Sequence, residues 1–488
     1  MSDRDEKDKT PPRRITTGVP GLDTVLSGGL LPGAVYIVQG SPGAGKTILA
    51  NQICFHRVTQ GEKALYVTLL AESHARLIQN LERMSFYDER RLPSSIFYVS
   101  GYDDLESGGL EGILRLLNHE SQRRGTSLIV VDGLFVLEES VQSEREFRKF
   151  VNYLSTLASL LTATILLLTN SRRTQASPEY TMVDGWIEVA TATHGHLGSR
   201  YVQVHKFRGS DFVAGLHTTV ISDDGMRVLP RLEATTGLEG QGAAEVARVP
   251  SGVPALDGLI GGGVPQGSTT LVLGPTGVGK TTLGLHFIAQ CSEQAPGLIF
   301  GFYENASRLA LKARMLGIDL EGLVRRGAVE VVWQPASEPS LDGLGYRLIE
   351  AVRRRGAKRV LVDGLRGFER AQFYDERSSP FLAALTHVLR AEGVTSLYTS
   401  EVPQIIGERS EISFGPISAV AENILLMRYV ELDSALHRLL SVLKVRDSDF
   451  DSAVRRFVID ARGIRIGDVF RDTEGLLTGH AHRPPADA

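Results

Sequence analysis

Residues 40–47 read GSPGAGKT and residues 274–281 read GPTGVGKT. Each octapeptide follows a short apolar run (35–38 and 270–273) and precedes a helical pattern. Strand, glycine loop, helix is the setting in which G-x-x-x-x-G-K-[ST] holds a polyphosphate. The glycines let backbone N–H groups turn inward around phosphate oxygens, and the helix N-terminus adds its dipole. The binding residues expected in the first loop are Gly40, Ser41, Pro42, Gly43, Ala44, Gly45, Lys46 and Thr47. In the second they are Gly274, Pro275, Thr276, Gly277, Val278, Gly279, Lys280, Thr281 and Thr282. Lys46 and Lys280 are expected to bridge the β- and γ-phosphates of a bound nucleotide, and the hydroxyls of Thr47 and Thr281 to ligate Mg²⁺.

Working outward, the loops belong to a duplication. TGVPGLDTVLSGGLLPG (17–33) leads into the first and SGVPALDGLIGGGVPQG (251–267) into the second. Lys46 and Lys280 stand 234 positions apart (280 − 46), too long for a solenoid repeat and right for a duplicated domain. Asp132 ends LIVVD and Asp363 ends VLVD, and both are expected to complete the Mg²⁺ site, since a carboxylate at the end of an apolar strand needs a cation. The organisation expected is a tail over 1–13, a first domain over 14–233, a Gly/Ala/Thr-rich linker over 234–247, a second domain over 248–472 and a tail over 473–488. Strands are expected near Tyr36 and over 65–70, 128–131 and 164–168. Near-continuous apolar strands between helical patterns imply an α/β fold, a mostly parallel sheet flanked by helices. After Tyr201 and after Leu439, shorter strands with Gly and Asp turns suggest an antiparallel edge.

The chain has 488 residues, 42% of them apolar, enough for sizeable cores. Lys plus Arg total 53 against 57 Asp plus Glu, a net charge of −4, which argues against a broadly basic nucleic-acid coat. The two cysteines, Cys54 and Cys291, cannot make a disulfide framework, so a reducing cytoplasm is expected. Residues 1–14 carry no apolar signal segment, and the apolar stretch 154–168 is too short and too rich in Ser and Thr to span a membrane.

Hydrolysis needs a group that positions or deprotonates the nucleophile. Glu72 in LLAES and Glu304 in FYENA lie just beyond the strand after each loop's helix and are the candidates. A third matched set is cationic: Arg200, Lys206 and Arg208 in RYVQVHKFR, and Arg438, Lys444 and Arg446 in RLLSVLKVR, with identical spacing. On a strand, Lys and Arg two apart face the same side and make an anion receptor.

Taken together, the GVPxLD lead-in, the loops, Asp132 and Asp363, the post-strand glutamates and the R-x5-K-x-R element resemble the KaiC family of circadian-clock ATPase-autokinases and their bacterial relatives, over about residues 14–472. The resemblance implies two tandem RecA-like P-loop NTPase domains in a homohexamer of two stacked rings. ATP would sit between subunits, with the cationic strands reaching a neighbour's nucleotide. It also points to Phe207, Ser210, Ser222, Asp223 and Val445 as nucleotide contacts. Where the family has two consecutive glutamates, this chain has Ala71-Glu72 and Tyr303-Glu304. Of the family's phosphorylated Ser-Thr pair, Ser418 is kept and Ala419 replaces the Thr; Ser413 lies five residues upstream. The resemblance thus implies serine autophosphorylation at Ser418, with signalling proteins as partners. Two other readings use the same fold: a nucleic-acid-dependent motor contacting DNA through 170–173 (NSRR) or 353–359 (RRRGAKR), and a scaffold that binds ATP only to assemble.

Overall fold

The computed structural model describes residues 13–69, 74–141, 143–170, 178–194, 197–235, 247–334, 340–371, 375–402, 417, 420–432, 434–446 and 448–469. Two compact units divide between Thr235 and Thr236.

The first unit is built on nine strands: β1 (Val35–Gln39), β2 (Ala64–Thr68), β3 (Ile96–Ser100), β4 (Leu128–Asp132), β5 (Thr164–Thr169), β6 (Gly185–His194), β7 (Leu197–Phe207), β8 (His217–Ser222) and β9 (Gly225–Leu229). They lie in the order β3-β2-β4-β5-β1-β6-β7-β8-β9. The strands from β3 to β6 are parallel, and β6 to β9 pair antiparallel. The antiparallel part therefore begins at the long β6–β7 ladder, upstream of Tyr201.

Alternation within the apolar strands builds two cores. Tyr36 and Val38 point into one cluster, with the helix Lys46–Thr59; Val35 and Ile37 point into the other, with the helix Glu144–Leu161. That second helix runs into β5, so the apolar stretch 154–168 is a helix end and a buried strand. Among the described residues no helix is long and apolar enough to cross a membrane.

The second unit opens with a two-stranded ribbon, β10 (Arg248–Val249) and β11 (Val264–Pro265). Its main sheet holds β12 (Thr269–Gly274), β13 (Gly297–Gly301), β14 (Val329–Trp333), β15 (Arg359–Asp363), β16 (Thr395–Glu401), β17 (Asn423–Leu432), β18 (Ala435–Val445), β19 (Arg455–Asp460) and β20 (Gly463–Val469). The order β14-β13-β15-β16-β12-β17-β18-β19-β20 repeats that of the first sheet strand for strand. The lead-in repeats as well: Asp23 accepts from the Thr17 amide at 2.9 Å, and Asp257 from the Ser251 amide at 2.8 Å. In both sheets the glycine loop leaves the C-terminal end of a central strand where the chain order reverses, which is where open α/β sheets bind ligands.

Candidate functional site

In the first unit the loop turns from β1 into the helix Lys46–Thr59 through Gly45, whose φ of 110° is closed to most other residues. Ala44 is buried and anchors the loop, while Ser41, Pro42 and Gly43 are exposed. Gly40 passes so close to β6 that a Cβ there would lie 2.0 Å from the Val189 carbonyl oxygen. Lys46 Nζ donates to the carbonyls of Gly40 at 2.7 Å and Ser41 at 3.1 Å, folding back on its own loop. Burial pushes its ammonium below the usual lysine range, with Asp132 opposing. Thr47 Oγ1 donates to Asp132 Oδ2 at 3.3 Å, and the Tyr66 hydroxyl donates to the same oxygen at 2.7 Å. A cavity of about 440 Å³ opens over Lys46, Thr47 and Asp132, with His74, Asn80, Phe135 and Asn170 on its far wall. His74 Nε2 stands 2.9 Å from Thr68 Oγ1, and burial holds the imidazole below its usual range.

The second site has the same frame. Lys280 Nζ donates to Gly274 and Pro275 carbonyls at 2.7 and 2.8 Å, and Val278 is fully buried under the loop. Thr281 Oγ1 lies 3.1 Å from both Asp363 oxygens, while Thr399 Oγ1 donates to Asp363 Oδ1 at 2.7 Å. A cavity of about 460 Å³ is lined here by Tyr303, Glu304, Lys312, Arg366 and Glu401, besides the loop and Asp363. Lys312 Nζ donates to Glu304 Oε1 at 2.6 Å. Glu304 Oε2 is buried without a hydrogen-bond partner among the described residues. Glu401 accepts a short hydrogen bond from Thr276 of the loop. Thr282 is buried in the helix that begins at Lys280.

Each aspartate sits beside a loop hydroxyl, so each site offers hard oxygen donors of the kind Mg²⁺ takes. Asp363 is 7% exposed, and among the described residues its carboxylate accepts hydrogen bonds from the Thr281 and Thr399 hydroxyls. Burial raises its carboxyl above the usual range, against the pull of Thr399 and Thr281. A carboxylate in that state fits a cation partner. It also carries a stability consequence. With the folded pKa raised, the native state holds the proton more tightly than the unfolded chain, so stability falls as pH rises through the raised value. Asp363→Asn is therefore expected to raise the melting temperature of the nucleotide-free protein at neutral pH. The same change should reduce the rise in melting temperature that ATP with Mg²⁺ produces to the part supplied by the first site. A nucleotide-free variant that melts lower than the parent contradicts this account of Asp363.

The cationic strands divide. Lys206, opposite Trp186, and Arg208 converge on the Thr181 carbonyl at 2.6 and 3.0 Å. Burial and then the charge of Arg208 hold Lys206 below the usual lysine range, with Asp184 opposing. Phe207 between them is buried against Tyr36, and Ser210 accepts from Arg14 at 2.6 Å. This group lies toward the sheet end opposite its own loop, because Gln39 pairs with Glu188 and Tyr36 with Gly185. Arg200, opposite Thr191, is six residues or about 20 Å away along the strand, at the loop's end of the sheet. The β8–β9 turn with Ser222 and Asp223 is also at that end, since Ile221 abuts Gly45. The second unit repeats the division. Lys444 donates to the Ala421 carbonyl at 2.7 Å, with Val445 buried beside it and Arg446 exposed. Arg438 stacks over Tyr429, near Gly277 of the loop. The matched spacing thus brings Lys206 and Arg208 together in the first unit, but not Arg200 six residues earlier.

Glu72, Ser413 and Ser418 lie outside the described residues. Of the DNA-contact candidates, 171–173 do as well. In the other segment Arg353 pairs with Glu392, Arg354 with Glu330, and Arg359 is buried against the Pro250 and Phe287 carbonyls.

The KaiC ATPase family model matches residues 15–233 and again 249–469. This chain belongs to the KaiC ATPase family. Among its relatives is the circadian clock protein KaiC3 of Synechocystis sp., 26% identical over 96% of this chain and 94% of that protein. The circadian clock oscillator proteins KaiC of Picosynechococcus sp. and of Acaryochloris marina are each 25% identical, over 97% and 99% of this chain. The paired nine-strand sheets, each with a glycine loop, Asp132 or Asp363 and an antiparallel extension, are the two KaiC ATPase domains, and the chain is a KaiC-like ATPase.

Six site residues escaped the reading of the sequence: Tyr66, His74, Lys312, Arg366, Thr399 and Glu401. Thr399 and Glu401 had a usable signal. They end the strand that follows the Asp363 strand, and such strand ends line the binding crevice of open α/β sheets.

Proposed function

We propose that this KaiC-like ATPase works as a cytoplasmic homohexamer with ATP between neighbouring subunits, and that its second domain transfers phosphate to Ser418. On this reading the first ATPase domain spans 14–233 and the second 248–472, joined by the linker 234–247. The observation that carries it is the position of Lys206 and Arg208. They converge on the Thr181 carbonyl at the sheet end away from their own loop, where a neighbour's nucleotide would meet them.

Each half-site has defined work. Lys46 and Lys280 leave their loop carbonyls for the phosphates, which relieves the burial that weakens both ammonium groups. Glu72 and Glu304 orient the attacking group. Thr47 with Asp132, and Thr281 with Asp363, would hold Mg²⁺, which offsets phosphate charge when bound. In transfer to Ser418, a bond forms between its Oγ and the γ-phosphorus while the bond to the β–γ bridging oxygen breaks. ADP departs, and the hydroxyl proton passes to Glu304. A phosphoserine brings about −1.5 to −2 charge, which Lys444 and Arg446 would pair. Signalling proteins are the partners this switch would serve. A nucleic-acid role draws no support from 353–359, whose arginines are committed within the chain.

Incubating the purified protein with ATP and Mg²⁺, followed by intact-mass measurement, tests the kinase part. One phosphate per chain, absent in Ser418→Ala, is expected. Hydrolysis without any mass increase leaves an ATPase and contradicts the kinase assignment.

A further inference from the structure

The two cavities differ where they face the end of a bound triphosphate. Three residues beyond the site aspartate, the first carries Phe135 and the second Arg366. Eight residues beyond the post-strand glutamate, Asn80 is replaced by Lys312; at the adjacent strand end, Asn170 is replaced by Glu401. The second cavity thus has three carboxylates, Asp363, Glu304 and Glu401, against three cations, Lys280, Lys312 and Arg366. Lys312 is committed to Glu304. Removing Arg366 would leave the cavity negative before a polyanion entered.

Arg366 is also held in place. Gly364 N donates to Thr399 Oγ1 at 2.8 Å, and Leu365 N to the Thr399 carbonyl at 2.9 Å. Leu365 is fully buried. Two aromatic rings close the turn: a Cβ on Gly364 would lie 2.4 Å from Tyr303 Cε2, and one on Gly367 2.2 Å from Phe302 Cγ. The backbone that presents Arg366 is fixed, yet its guanidinium has no hydrogen-bond or ion-pair partner among the described residues. It shares the cavity with Lys280, whose ammonium is weakened by burial, with Arg366 adding to that effect against Glu401 and Asp363. A preorganised, unpaired guanidinium beside the P-loop lysine suits a phosphate.

We infer that Arg366 binds the terminal phosphate of ATP in the second site, from within the same subunit. This rests on the second cavity being an ATP site. Among the described residues, the first site has Phe135 at that position and Lys46 as the cation lining its cavity. The second site accordingly discriminates ATP from ADP even in an unassembled chain.

The test uses the full chain carrying Lys46→Ala, which leaves the second site to be read alone. Equilibrium binding of ATP and of ADP, each with Mg²⁺, is measured at protein concentrations below assembly. Arg366→Ala should weaken ATP by about tenfold or more, as for loss of a charged hydrogen bond, with a much smaller change for ADP. Arg366→Lys, which keeps the charge, should restore part of the preference, so a loss through misfolding is recognised. Equal weakening of ATP and ADP, or no change in either, overturns the inference while leaving the second site an ATP site. No ATP binding in the Lys46→Ala chain with Arg366 intact would overturn the reading of the second site, and the inference with it.

Discussion

Replacing Lys46 and Lys280 together with alanine is expected to lower steady-state ATP turnover by about a hundredfold or more, the scale for losing a preorganised charge at a transferring phosphoryl group. Both lysines lie partly buried at the start of their helices and spend their hydrogen bonds on loop carbonyls, so neither is a generic surface cation. Each single variant should empty its own site, read as one nucleotide lost per chain in equilibrium binding. A double variant that hydrolyses ATP at the parent's rate contradicts the placement of the reaction at these loops.

The second large effect concerns the glutamates. Glu72→Gln is expected to remove most of the turnover, and Glu304→Gln the smaller part. Lys312 holds one oxygen of Glu304, whereas Asn80 stands at that position in the first domain and carries no charge. A carboxylate tied to an ammonium is less free to reorient toward the attacking water. Lys312→Ala should then raise the share of turnover that depends on Glu304. Rates of the three variants decide it: a larger loss in Glu304→Gln than in Glu72→Gln reverses the ranking of the two sites.

The loops, their lysines, Asp132 and Asp363 were legible because local spacing encodes them: a strand, a glycine turn and a helix start lie within about fifteen residues. The duplication made the weaker signals readable, since an isolated K-x-R on a strand says little and a matched pair says much. What stayed hidden is non-local. Glu401 reaches the second loop only because β16 lies beside β12, which pairs Gly274 with Glu401 across more than a hundred residues. Tyr66 reaches Asp132 because β2 and β4 are neighbours, although they are far apart in sequence. The edge strand β3 carries the apolar run IFYV like the inner strands, but is only half-buried at the sheet edge. The division of each cationic set follows from strand length: six residues of extended chain carry Arg200 away from Lys206, whatever the regularity of their spacing suggests.

The account's central claim is that ATP is shared between subunits, each supplying a loop to one nucleotide and a cationic strand to the next. The most direct measurement is the mass of the particle in solution with and without ATP and Mg²⁺, with nucleotide counted in the same sample. A hexamer carrying two nucleotides per chain, falling apart when nucleotide is stripped, is the predicted result. A monomer that binds ATP at both loops, or a hexamer unchanged when fully free of nucleotide, would contradict it.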